Sequence, residues 1–385
     1  MSTSSEQVAT LTGLSAAQLP PAAEVAKRFP LTPNAAPAAA DAHGEVMGKL
    51  SFGVAFTDHM GRARWTPERG WHDRRTEAFG PLTISPAAAV LHYGQEVFEG
   101  LKAYRHDDGS VWTFRPGFNA ARFNASARRL ALPELPEEDF VGSLAALVAA
   151  DERWVPGSEG SSLYLRPFMV ATEAFLGVRA AHEIDYLVIA SPVGPYFPHG
   201  FTPVSIWVSQ DFHRVGPGGT GAAKTGGNYA ASLLPQQEAY AKGFEQVCFL
   251  DAATGTQLEE LGGMNVVVVD ADGAVRTPAL TGTILEGGTR GSILQLLRDA
   301  GREVREETIT LTALLEQIRS GAVRELFACG TAAVITPIGR LAGADFDVTV
   351  ADGAPGETTR ELYGTLTEIQ YGRRPDPHEW MYRLV

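Results

Sequence analysis

Residues 215–230 read VGPGGTGAAKTGGNYA. Lys224 stands among glycines on both sides, and a backbone without Cβ atoms can come close to something bulky. The chain carries five lysines, Lys27, Lys49, Lys102, Lys224 and Lys242, against 27 arginines. A lysine kept where arginine is otherwise preferred points to a task for an amine. Two ligand-based readings compete: an ammonium can hold a phosphate as a point charge, or an amine of lowered basicity can attack a carbonyl and form a Schiff base. A flexible surface loop is the plain alternative.

The phosphate reading leads toward a P-loop ATPase. Gly218, four residues, then Ala223, Lys224 and Thr225 approach that pattern, and the apolar run Val266 to Val269 ending at Asp270 mimics the acidic strand that accompanies it. A P-loop requires glycine directly before its lysine, a strand directly before the loop and a helix beginning at Lys-Thr. Here Ala223 precedes the lysine, and Gly226 and Gly227 are expected to break a helix at once. The P-loop therefore stays a remote alternative.

Outward from this loop, 385 residues suggest two or three domains, and 44% hydrophobic with 20% charged residues excludes a disordered chain, a collagen and a coiled coil. A net charge of -13 repels phosphate backbones and anionic membrane surfaces. Nucleic acid is thus not an expected partner. Two cysteines, Cys248 and Cys329, make neither a disulfide framework nor a cysteine zinc site, and point to the cytoplasm. No metal site is expected. No apolar run approaches the ~20 residues of a membrane span, and the N-terminus lacks the charged and apolar regions of a signal peptide. Residues 1–45, rich in Ala and Pro, are expected to form a loosely ordered arm.

GLKAYR, HDDGS and VWTF read as a hairpin across an Asp-Gly turn. Helices are expected at FNAARFNASARRLAL and EEDFVGSLAALVAADERWV, then strands at SLYLRPFMVAT and EIDYLVIASPV. The breaker-dense GPYFPHG places a domain boundary near Pro198, giving a small α/β domain over 46–198 and a large one over 199–385. The second half reads as strand PVSIWVSQ, the lysine loop, helix AASLLPQQEAYAKGF, short strands EQVCFLD, TQLEEL, MNVVVVD and AVRTP, and further helices around strand RELFACG. The expected class is α+β (mixed α/β) in two domains.

A Schiff-base lysine requires further parts: an acid for a pyridinium, an arginine and a helix N-terminus for a phosphate, and a hydroxyl for a phenolic oxygen. Candidates for all are present. FGVAFTDHM, LHYGQEVFEGLKAYR, RPGFNAARF, SLYLRP, PVGPYFPHG, KTGGNYAAS, LEELGGMNVVVV, TGTILEGGTRGS, CGTAAVITPI and EIQYGRRPDPHEW occur in this order between about Phe52 and Trp380. With these stretches the chain resembles the branched-chain amino-acid aminotransferases, class IV (fold type IV) pyridoxal 5′-phosphate enzymes.

The resemblance implies a role for each matching residue. Lys224 matches the Schiff-base lysine, which also moves the proton between substrate and cofactor. Tyr229 matches the phenolic-oxygen partner, and Glu260 the carboxylate on the pyridine nitrogen. Its neighbour Glu259 is expected on the opposite face of a strand, the plain alternative being an exposed acidic pair. Arg122 matches the phosphate-gripping arginine, with Gly288 and Thr289 at a helix start and Thr331 on the same phosphate. Ala332 offers its amide to the substrate carboxylate. Phe52, Tyr93, Phe98, Tyr164 and Tyr196 match aromatic positions of the substrate pocket.

Arg166 is our own addition: two residues after Tyr164 on a strand, it shares a face with that tyrosine and could take the distal carboxylate of glutamate. A structural salt bridge is its plain alternative. Two departures stand out. Gly263 replaces a carboxylate-binding threonine of some members, and Ala333 and Thr336 replace a redox cysteine pair. The implied reaction moves the amino group of L-leucine, L-isoleucine or L-valine to 2-oxoglutarate in two half-reactions, in a homodimer with the cofactor held mostly by residues 199–385. A D-amino-acid aminotransferase or an aminodeoxychorismate lyase is the alternative within the class.

Overall fold

The computed structural model describes residues 10–194 and 201–385. Contacts divide them into two compact units, each taken by itself below: Leu11–Tyr196 with Ala223–Gly226 and Glu368–Val385, and Phe197–Ala222 with Gly227–Thr367. The boundary expected near Pro198, and Tyr196 as a pocket residue, lie outside the described residues.

In the first unit β1 (His59–Thr66), β2 (Gly70–Ala78), β3 (Glu96–Phe98), β4 (Leu101–Arg105), β5 (Val111–Phe114), β6 (Ser162–Ala171) and β7 (Ile184–Val193) form an antiparallel sheet in the order β5-β4-β6-β7-β1-β2, with β3 on β6. The hairpin of β4 and β5 turns at Asp108-Gly109, where Gly109 takes φ 87°. A short helix α3 (Ala89–Tyr93) leads into β3, after α1 (Ala22–Val25) and α2 (Ala40–Gly48) near the N-terminus. Helix α4 (Pro116–Arg129) opens on proline, whose missing N–H costs nothing there, and α5 (Glu137–Ala150) opens on three acids that favour its positive end. Phe123, Phe140, Leu144 and Leu147 from these helices join Leu163, Leu165 and Tyr186 of the sheet in one core.

Part of the arm expected to be loose is packed, between Leu19 and Phe29, whereas residues 31–45 have no buried member. Leu19, Val25 and Phe29 belong to that same core, and Gly142 of α5 lets the chain lie close, since a Cβ there would stand 2.5 Å from the carbonyl oxygen of Val25. Arg28 also reaches the fully buried Asp139 at 2.6 Å. Alanine-rich sequence conceals such packing because small side chains show no strong periodicity.

In the second unit β8 (Val204–Ser209), β9 (Gln246–Leu250), β10 (Leu258–Leu261), β11 (Asn265–Asp270), β12 (Val275–Pro278), β13 (Val304–Glu307), β14 (Val323–Gly330), β15 (Val334–Ala342) and β16 (Asp347–Thr349) form one sheet, ordered β10-β9-β8-β15-β14-β11-β12-β13 with β16 on β15. β10 also pairs with β11, so the sheet closes on itself. The closing pair is Glu260 opposite Asn265. Helices α6 (Gly226–Ala241), α7 (Gly288–Asp299), α8 (Leu311–Ser320) and α9 (Glu357–Gln370) complete the fold. Val266 and Val268 of β11 pack with Leu314 and Ile318 of α8 and Leu326 and Ala328 of β14.

Two segments expected in the second domain group with the first unit. A last strand, β17 (Met381–Arg383), pairs with β5 at the sheet's edge, which draws in the C-terminal residues. The segment Ala223–Gly226 joins because its backbone bonds to β3 and α4, as described next. Among the described residues no helix is long and apolar enough to cross a membrane.

Candidate active site

Lys224 is anchored by its main chain. Its N–H donates to Ser126 Oγ of α4 at 2.9 Å and its carbonyl accepts from the Phe98 amide at 3.0 Å, while Nζ lies 4.7 Å from the centre of the Phe98 ring. Glu96 fixes the following turn, accepting from Thr225 Oγ1 at 3.1 Å and from the Gly226 amide. Burial raises the Glu96 carboxyl, and these two bonds with the charge of Arg166 oppose it only in part. Helix α6 therefore starts at Gly226, where the glycines were expected to break it. Its opening amide already faces a carboxylate, so no phosphate is cradled there and the P-loop reading fails.

Arg122 is buried in α4 and forks onto Glu99, with Nε to Oε1 at 2.7 Å and an Nη to Oε2 at 2.8 Å. Asn119 adds a third donor to Glu99 at 2.8 Å. Burial works to raise this carboxyl, but Arg122, then Lys224 and Asn119, outweigh it and hold Glu99 below the usual carboxylate range. Arg122 is thus no solvated surface arginine. Glu99, which sequence reasoning missed, orients it; the acid stands inside the quoted stretch EVFEGLKAYR, but nothing in one sequence marks it as the arginine's partner.

The same unit gathers much of the expected substrate pocket. Phe52 and Tyr164 lie with ring centres 5.0 Å apart, and the Arg166 guanidinium sits 4.7 Å from the Phe98 ring and 5.3 Å from Tyr164, donating to the Tyr164 hydroxyl at 2.9 Å. Among the described residues the direct contacts of Arg166 are aromatic and hydroxyl, and its charge reaches Glu96 without an ion pair, which removes the structural salt bridge as its role. A Cβ on Gly100 would collide with the Tyr164 hydroxyl, so a glycine is required there. Tyr93 does not join the cluster: it is 41% exposed and its hydroxyl bonds the Leu176 carbonyl.

Lys102 is a second amine in this unit. It is buried on β4, and burial pushes its ammonium down to about 8. Lys242, by contrast, lies on the surface over the Trp207 ring.

In the second unit Glu260 is 2% exposed. Its Oε1 accepts from the Leu285 amide at 2.8 Å and faces an Nη of Arg214 at 3.0 Å; Asn265 Nδ2 lies 3.4 Å from Oε2. Glu259 is buried too and accepts from Thr283 Oγ1. The two acids keep different company, as strand alternation predicts, but neither is exposed. Burial raises the Glu259 carboxyl, Thr283 and Arg214 opposing. Tyr229 stands in the first turn of α6, beside Gly263, where an added Cβ would lie 3.7 Å from its ring.

Gly288 and Thr289 open α7, behind Gly287, whose backbone is tight: a Cβ there would collide with Asn265 Oδ1. No acid occupies the first turn of α7, so its positive end suits an anion. Thr331 and Ala332 lie in the turn joining β14 to β15, which ends at Val334 with φ 62°, a conformation a β-branched residue rarely takes. Cys248 and Cys329 are buried thiols pushed up to about 12, so neither is reactive. No group of three or more His, Cys, Asp or Glu is placed to hold a metal among the described residues.

Each unit taken by itself carries donors that suit pyridoxal 5′-phosphate: the first an anchored lysine, the second a buried carboxylate facing an arginine and a helix whose first turn holds no acid. Comparison with known proteins agrees. The profile of the family described as amino-transferase class IV matches residues 96–341. The branched-chain-amino-acid aminotransferase of Mycolicibacterium smegmatis is 51% identical over 360 residues, 92% of this chain and 98% of that protein. The crystal structure of the Escherichia coli branched-chain amino acid aminotransferase superposes with a TM-score of 0.71 at 26% identity, covering 84% of this chain and 99% of that one. The T.th. branched-chain amino acid aminotransferase complexed with N-(5′-phosphopyridoxyl)-L-glutamate does so with 0.66 at 26%, covering 84% and 98%. The chain belongs to the class IV aminotransferases, which use pyridoxal 5′-phosphate and act on amino acids and 2-oxo acids.

Proposed function

We propose that the chain transfers the amino group of L-leucine, L-isoleucine and L-valine to 2-oxoglutarate. The observation that carries this reading is the linked cluster of Phe52, Tyr164, Arg166 and Phe98, whose Phe98 lies against Lys224 Nζ: aromatic rings with a guanidinium among them. Aromatic walls accept branched aliphatic side chains by contact alone, and one guanidinium serves the second carboxylate of glutamate. The relatives named above act on branched-chain amino acids by name, and one was solved with a glutamate adduct of the cofactor.

Pyridoxal phosphate, when bound, supplies an aldehyde and an electron-withdrawing ring. Lys224 would hold this group through its amine, and its freed Nζ would take the proton from the substrate α-carbon, carry it as an ammonium and deliver it to the cofactor carbon that receives the amino group. Glu260 places a negative charge at the ring nitrogen and keeps that nitrogen protonated. Tyr229 donates to the phenolic oxygen. Arg122, the start of α7 at Gly288 and Thr289, and Thr331 hold the phosphate, and the Ala332 amide meets the substrate carboxylate.

A homodimer in the cytoplasm is part of the proposal. Leu91, Leu176 and Val178 are exposed, and the Leu176 carbonyl meets the Tyr93 hydroxyl; exposed apolar side chains of this kind suit a second copy. Incubation with L-leucine and 2-oxoglutarate should give L-glutamate and the 2-oxo acid of leucine, and light scattering should give twice the chain mass. Transfer from D-amino acids, or release of pyruvate from aminodeoxychorismate, would favour the alternatives within the class.

A further inference from the structure

We propose that Arg214 is a positioning residue for Glu260, holding one carboxylate oxygen and the negative charge in place so that the other oxygen serves the pyridine nitrogen. The proposal rests on the reading of Glu260 as the partner of that nitrogen. Arg214 stands in the loop after β8, its guanidinium 1% exposed. A guanidinium so deeply buried requires its charge to be met; among the described residues its Nε makes no hydrogen bond, and the contacts run through one Nη. It lies 3.0 Å from Glu260 Oε1 and donates to the carbonyls of Thr283 at 3.0 Å and Gly221 at 3.3 Å. One side chain thus ties together the strand bearing Glu260, the segment delivering the Leu285 amide, and the loop that runs on to Lys224.

The distribution of donors gives the direction. Leu285 and Arg214 both address Oε1, whereas Oε2 has the Asn265 amide at 3.4 Å, a weak contact by length. Two contacts at Oε1 fix the orientation of the carboxylate, and with it the direction in which Oε2 points. The guanidinium also separates two adjacent buried acids, because Glu259 takes its bond from Thr283 and Arg214 meets Glu260. Without Arg214, Glu260 would lose the cation at Oε1, and burial favours the protonated form of a carboxyl. The proton that should stay on the ring nitrogen would sit on Glu260 instead, and the ring would withdraw electrons less.

The test uses holoenzyme carrying cofactor labelled with ¹⁵N in the ring, in the wild type and in Arg214→Met, Arg214→Lys and Glu260→Gln. In the wild type the ¹⁵N shift should be that of a protonated pyridine. Arg214→Met should move it toward the neutral form, as Glu260→Gln does, with kcat about tenfold or more lower. Arg214→Lys, which keeps the charge, should restore most of the signal. A merely structural Arg214 would lower the melting temperature and cofactor affinity of Arg214→Met while the shift stays at the protonated value, and that result overturns the proposal. If Glu260→Gln itself leaves the shift unmoved, the reading of Glu260 fails first, and the proposal with it.

Discussion

Replacing Arg166 with methionine keeps a side chain of similar reach and removes the guanidinium. The structure says what is lost. One donor to the Tyr164 hydroxyl at 2.9 Å disappears, together with stacking over Phe98, while Arg166 Nε makes no hydrogen bond among the described residues. No ion pair is broken among these contacts, so the fold should keep its stability to within about 1 kcal/mol, the scale of one neutral hydrogen bond. For 2-oxoglutarate the loss is larger. A charge-assisted contact to its distal carboxylate contributes roughly 1.5–3 kcal/mol, which converts to about 10- to 150-fold in kcat/KM. Leucine has no distal carboxylate, and an apolar methionine suits its side chain, so its kcat/KM should stay within about twofold. The assay is steady-state kinetics of both half-reactions with a melting curve. Equal losses for both substrates, or a clear fall in melting temperature, would refute the two-substrate role.

Other expectations follow from the same geometry. Lys224→Ala should abolish transamination while the fold survives, and borohydride reduction with peptide mapping should label Lys224; a label on Lys102, a buried amine whose basicity burial lowers, would overturn the assignment. Glu260→Gln should retain cofactor but lose on the order of a hundredfold in kcat, whereas Glu259→Gln should be nearly silent because that side chain takes its bond from Thr283 Oγ1; equal effects would sink the distinction. Glu99→Gln should loosen Arg122 and weaken cofactor binding, read by equilibrium dialysis. Because the folded Glu99 carboxyl lies below its ordinary 4.5, it stabilises the wild type above that pH, and the contribution fades as pH falls through the depressed value. Acid unfolding followed by circular dichroism should show that component in the wild type and not in the variant.

Much of this was legible from residue patterns. The hairpin of β4 and β5 follows from alternation about Asp-Gly, and Tyr164 with Arg166 from the period of a strand. Glu260 was legible as a motif residue but not as a buried one. Its setting depends on β10 closing onto β11, a pairing of one residue with one residue that no local pattern announces. The start of α6 was misread because its support comes from Glu96, far off in sequence, while local chemistry showed only two glycines. Glu99 and Arg214 stayed hidden for the same reason. Each is a charge whose meaning lies in its partner, Arg122 or Glu260, and the partner is supplied by tertiary structure. The N-terminal residues and β17 show the converse: short or alanine-rich segments with weak signals that gain their order from the core and the sheet edge they meet.

The central claim is that one site exchanges an amino group between a branched-chain L-amino acid and 2-oxoglutarate through a cofactor held by Lys224. The most direct measurement is the visible spectrum of the purified holoenzyme during sequential additions. The account predicts a yellow protein that L-leucine bleaches and 2-oxoglutarate restores, with D-leucine inert and Lys224→Ala failing to cycle. A spectrum unmoved by L-leucine, or bleached equally by the D-isomer, would contradict it.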